Sequence, residues 1–133
     1  MNIEHFDDLL ALARAQSQAE PQRLLMVFTA AECEPDASPA QRASHVAGQG
    51  GVLRPLMCVD KDPADIANFV ALAAEARHAG PAWSLMFAAA LAGRSSAAEI
   101  ERTLEMLVKR VETGELGGLI PFNPAGEAVQ LIA

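Results

Sequence analysis

The sequence predicts an α/β fold: a mainly parallel sheet of about five strands with helices on its faces, plus a C-terminal β-hairpin adding an antiparallel strand. Three observations predict it. Short continuous apolar runs, such as Leu24-Leu25-Met26-Val27-Phe28-Thr29, suit strands buried on both faces. Capped amphipathic stretches alternate with those runs, the pattern of strand–helix–strand crossovers. Two last apolar runs flank an Asn-Pro/Gly turn. At 133 residues the chain has the length of a single α/β domain, 1–133.

Ile3, Phe6, Leu9, Leu10 and Ala13 recur at helical spacing, so the first element is an amphipathic helix from Ile3 to about Ala15. Asn2 is placed to cap it, and Glu4, Asp7 and Asp8 suit the positive end of the helix dipole. The run Leu24–Thr29 is the first strand, and the acidic, proline-containing stretch Ala30–Ala37 is a loop. Ser38-Pro39-Ala40-Gln41 then reads as a helix start, and that helix stops at Gly48-Gln49-Gly50-Gly51.

Val52–Val59 is the second strand. Pro55 lacks a ladder donor, so the strand is irregular there or lies at an edge. Asp62-Pro63 opens a helix with Ile66, Phe69, Val70 and Ala73 on one face, ending at Gly80-Pro81. Trp83–Leu91 is the third strand. Ser96 and Glu99 form a capping box for the strongest helix, striped by Ile100, Leu104, Leu107, Val108 and Val111 and ended by Gly114. Leu119–Phe122 and Val129–Ile132 are the arms of the hairpin.

Seventeen acidic against ten basic residues give a net charge of −7, which excludes binding to nucleic acid through a basic surface. An apolar fraction of 51% with 20% charged residues is too hydrophobic for a disordered chain. No apolar run reaches the roughly 18–20 residues that cross a bilayer. The N-terminus is acidic and lacks the layout of a signal peptide. These features lead us to expect a soluble, cytoplasmic protein with no membrane partner. The apolar content is high for 14.0 kDa, so a homodimer is expected, joined through an apolar helix face or an edge strand, with Val129–Ala133 as a bare edge.

In open parallel sheets, ligands bind beyond the carboxyl ends of the strands, near helix N-termini. That rule selects Glu32 and Cys33 after the first strand, Asp60 and Lys61 after the second, and Arg94, Ser95 and Ser96 after the third. Lys61 and Arg94 are placed to face a small anion, with free backbone N–H groups near Ser96 as further donors. Glu32 and Asp60 are candidates for acid–base work, and Cys33 or Cys58 for a nucleophile. The same residues also fit ordinary turn, cap and surface roles. Cys33 and Cys58 read as free thiols of a reducing compartment, with a thiol switch as the alternative.

Other motifs are incomplete. Gly48–Gly51 follows a helix and precedes a strand, the reverse of a phosphate loop, and no GKS or GKT is present. Glu75-Ala76-Arg77-His78 has carboxylate–imidazole spacing but lacks the second copy that a di-metal site needs. No GxSxG elbow occurs. Neither a metal site nor a cofactor is expected.

Phe6-Asp7-Asp8-Leu9-Leu10, Pro21-Gln22-Arg23-Leu24-Leu25 with Val27-Phe28, Gly50-Gly51, Pro55-Leu56-Met57-Cys58-Val59-Asp60-Lys61 and Gly80-Pro81-Ala82-Trp83 together resemble a family of small bacterial proteins. These are mostly proteobacterial and often carry the label "ribonucleotide reductase subunit alpha". The resemblance covers roughly residues 5–95 and is most specific at Leu56–Lys61. The label implies deoxynucleotide synthesis. A catalytic subunit of that kind uses a cysteine in a large barrel and a further reducing pair, and two cysteines do not supply that set, so no catalytic role carries over. Two readings stand: a non-enzymatic binding or regulatory module, and a small-molecule enzyme or phosphometabolite-binding protein.

Overall fold

The computed structural model describes residues 3–32, 52–80 and 82–130. Helix α1 (Phe6–Gln16) leads into strand β1 (Gln22–Glu32). Strand β2 (Val52–Lys61) is followed by a single 3-10 turn (Pro63–Asp65) and helix α2 (Phe69–Ala79). Strand β3 (Leu85–Ala92), helix α3 (Ala97–Thr113) and the short strand β4 (Ile120–Phe122) complete the order. The expected helix after Ser38 and the glycines at 48–51 lie outside the described residues.

The sheet order is β2-β1-β3-β4, and every neighbouring pair is antiparallel. This overturns the expectation of a mainly parallel sheet of about five strands. Strands β2 and β3 do run the same way with α2 joining them, but β1 lies between them and runs opposite. A continuous apolar run reports burial on both faces, and it carries no mark of strand direction. Leu24, Met26 and Phe28 of β1 face α1 and α2, while Leu25 and Val27 face α3. Helices therefore cover both faces of an antiparallel sheet.

Several local expectations change for identifiable reasons. The α1 cap is His5, not Asn2. His5 Nδ1 accepts from the Asp7 N–H at 3.0 Å, and the Asp8 carboxylate accepts from the His5 N–H at 3.0 Å. The helix expected from Asp62 is delayed to Phe69. Asp62 caps only the 3-10 turn, and Asn68 caps α2 by accepting from the Ala71 N–H at 2.9 Å. Ser96 caps α3 by accepting from the Glu99 N–H, while the Glu99 carboxylate accepts from the Ser96 hydroxyl and not from the Ser96 N–H as the expected box requires.

The C-terminal hairpin is smaller than expected. Asn123 Oδ1 accepts from the N–H groups of Ala125 and Glu127, both at 3.0 Å, closing a tight turn. The returning limb makes only isolated bridges, Ala128 with Phe122 and Glu127 with His5. The Val129 N–H donates to Pro121 O at 3.0 Å, which binds the start of this limb to β4. Residues 131–133 lie outside the described residues. Among the described residues β2 is a terminal strand with no strand on its outer side, and Pro55 sits there beside a bulge: Phe28 pairs with Met57 but Thr29 with Pro55, which skips Leu56.

Aromatic rings tie the N-terminal side of the sheet together. Phe6 meets Phe69 at 5.8 Å and Phe122 at 5.5 Å between centroids, and Phe69 and Phe28 both meet Trp83. Among the described residues, the large exposed apolar side chains are Val70 on α2 and Met106 on α3. Those helices cover opposite faces of the sheet, so the two do not form the apolar helix face expected of a dimer. No described helix is long and apolar enough to cross a membrane.

Candidate functional site

Antiparallel pairing redistributes the residues selected from the sequence. Strands β2 and β3 end on one side of the sheet, because Lys61 pairs beside Leu24 and Ala92 beside Gln22. Asp60, Lys61, Arg94, Ser95 and Ser96 therefore share one end. Glu32 closes β1, which runs the other way, and lies at the opposite end. Cys33, and with it the proposed thiol pair, lies outside the described residues.

Within the shared end the groups diverge. Asp60 pairs with Leu25 on the α3 face, whereas Lys61 pairs with Leu24 on the α1/α2 face. Arg23 Nε donates to the Asp60 carboxylate at 2.5 Å. Lys61 Nζ donates to Glu75 Oε1 at 2.8 Å, which also takes Glu75 away from the Glu75/His78 metal pattern. Ser96 is occupied by its cap, and Arg94 is exposed. Pairs this open to water contribute about 0–1 kcal/mol each, so they neutralise charge more than they stabilise. Among the described residues no group of three or more His, Cys, Asp or Glu is arranged to hold a metal ion.

Cys58 is exposed on the α3 side of β2, yet burial of part of the thiol pushes its pKa up, with the charges of Asp60 and Glu105 adding to the effect. An activated nucleophile needs the opposite shift. The fold favours the protonated thiol, so this group's contribution to stability is present below the ordinary thiol range and is lost as pH rises through the folded value. With Cys33→Ser removing the other thiol, alkylation of Cys58 by iodoacetamide at neutral pH will be slower than in the urea-unfolded chain. The rate will still be rising above pH 9, and Asp60→Asn will recover part of the difference. A folded-state rate equal to or above the unfolded one would contradict this assignment.

The feature that sequence reasoning missed is a cleft between β2 and α2. Its volume is about 40 Å³, with Phe28 at its base, Met57 and Val59 on one wall and Leu72 and Ala76 on the other. The Lys61–Glu75 pair separates it from a second hollow of about 30 Å³ bordered by Asp65 and Ala71. α2 runs antiparallel to β2, since Glu75 meets Lys61 while Gly80 abuts the Met57 sulfur. The two walls are legible separately, as Met57/Val59/Lys61 alternation and as Leu72/Glu75/Ala76 helical spacing. Only the strand order brings them together. At about 40 Å³ the cleft has room for no more than the tip of a side chain, far below the roughly 300–1,000 Å³ of small-molecule sites.

Compared with protein-family profiles, curated proteins and solved structures, the chain matches none.

Proposed function

We propose that this chain is a non-catalytic binding module of the cytoplasm, which engages its partner by adding an extended strand to the open edge of β2. One observation carries the reading. β2 is the terminal strand of the sheet, ten residues long, with no described strand on its outer side and an apolar cleft alongside. Strand addition of this kind takes affinity from main-chain hydrogen bonds and specificity from pockets for alternate side chains. The exposed thiol of Cys58 suits a reducing compartment. The anion-binding alternative is weaker, because Glu75 neutralises Lys61 and leaves only Arg94 beside the start of α3.

Adjacent strand residues direct their N–H groups alternately inward and outward. One of Cys58→Pro and Val59→Pro therefore removes a bond to β1 and destabilises the fold, and the other removes an outward donor and leaves it intact. A photo-crosslinking phenylalanine analogue at position 57 should trap a discrete adduct in cells, and the fold-preserving proline variant should lose it. The same analogue at position 112, on exposed α3, should trap none. Equal labelling at both positions, or an adduct indifferent to the proline, would reject strand addition.

A further inference from the structure

We infer that the strand docking on β2 is β2 of a second copy of this chain, paired antiparallel about a two-fold axis through Val59. The inference rests on the strand-addition reading above and names its occupant.

The usable edge is short and its centre is defined. On one side it is interrupted by Pro55 and the bulge at Leu56, and on the other the chain turns into the 3-10 turn at Pro63. Met57–Lys61 is the regular stretch between them, and Val59 is its middle residue. Antiparallel self-pairing about Val59 uses all of it: Met57 faces Lys61, Cys58 faces Asp60, and Val59 faces its own copy. A two-fold through Cys58 would instead set Asp60 against the bulged Leu56 and Lys61 against Pro55, where the ladder fails.

The side chains agree with that register. Directly opposed residues lie on the same face of a sheet. Met57 and Lys61 both face the α2 side, where the lysine stem covers the thioether, and Cys58 and Asp60 both face the α3 side. No like charges oppose each other, and β-branched Val59 pairs with itself at the axis. The ends of the edge are also complementary. The basic last turn of α2, Arg77 and His78, lies towards one end, and exposed Asp62 and Asp65 towards the other. The two-fold sets each basic end beside the other copy's acidic end. Such a contact is isologous and closed, and it joins two four-stranded sheets into one continuous antiparallel sheet.

The test is a cysteine placed at the axis. In a Cys33→Ser/Cys58→Ser background, Val59→Cys brings two sulfurs within disulfide reach, because opposed antiparallel residues have Cα atoms about 4.5–5.5 Å apart. Mild oxidation should convert most of this variant to a covalent dimer. Cys58 in a Cys33→Ser background, facing Asp60, should crosslink at least tenfold more slowly. Light scattering of the wild-type chain should give twice 14.0 kDa, and the fold-preserving proline variant should give one chain mass. Preferential Cys58 crosslinking overturns the proposed axis. A wild-type monomer at about 100 μM, where a pair of micromolar Kd is almost fully assembled, overturns the second copy. If that monomer still yields an edge-dependent adduct with another chain, strand addition survives alone; if it yields none, both readings fall.

Discussion

Replacing Phe6 with alanine is expected to lower stability by about 3–5 kcal/mol and Tm by roughly 10–18 °C at this chain length. Phe6 is fully buried, with its ring against Phe69 of α2 and Phe122 of β4. Its backbone N–H also donates to Gly126 O at 2.8 Å. One side chain thus joins the first helix, the middle helix and the last strand. Truncation leaves a cavity whose walls belong to three separate elements held by the sheet, so the site collapses poorly. Phe6→Leu, which refills most of the volume, should recover more than half of the loss. Urea denaturation of the three proteins measures this, and a cost for Phe6→Ala below about 1.5 kcal/mol, the scale of a volume-conserving swap, would contradict the packing described here.

Gly126→Ala is the second large effect, at about 3 kcal/mol, because two penalties coincide. Gly126 has φ of 85°, a left-handed conformation that side chains disfavour. A Cβ there would also meet His5 Nε2 at 2.6 Å and the Phe69 ring at 2.7 Å. Neither neighbour is free to give way. His5 is fixed by its cap on one nitrogen and by Ala125 O at 3.1 Å on the other, and Phe69 is held by its N–H bond to the Asp7 carboxylate at 2.7 Å. Gly114→Ala is the control: φ is 80° and nothing lies within 4 Å of the added carbon. It should cost only the backbone term, about 1–2 kcal/mol. Equal losses at the two positions would mean that the contact with His5 and Phe69 is unimportant.

The edge proposal and the Gly126 lock concern opposite sides of the molecule. Val129, which opens the segment the sequence presents as an edge ready for pairing, is bound to Pro121 of β4, and Ala128 before it to Glu4. Met57–Lys61, which the sequence presents as a source of polar site residues, lies along the open edge instead. Asp60 and Lys61 look like a matched pair because they are adjacent in sequence. Adjacency in a strand is what separates them, since successive side chains leave opposite faces.

Local chemistry was legible because it is encoded within a few residues. The 3.6-residue stripes of α1 and α3, the Ser96 cap, the glycine after Thr113 and the irregularity at Pro55 follow from spacing, cap chemistry and a missing N–H. The composition likewise pointed to a packed chain carrying a net charge of −7. Strand direction and order depended on contacts between residues far apart in sequence. Leu25 is buried in an antiparallel sheet and would be equally apolar if β3 beside it ran parallel. Its apolar side chain records that it is covered, and the covering partner is chosen by the packing of the whole chain. The tertiary structure alone therefore decided that β1 sits between β2 and β3, that Glu32 lies away from Lys61 and Arg94, and that β2 ends the sheet of described strands beside a cleft.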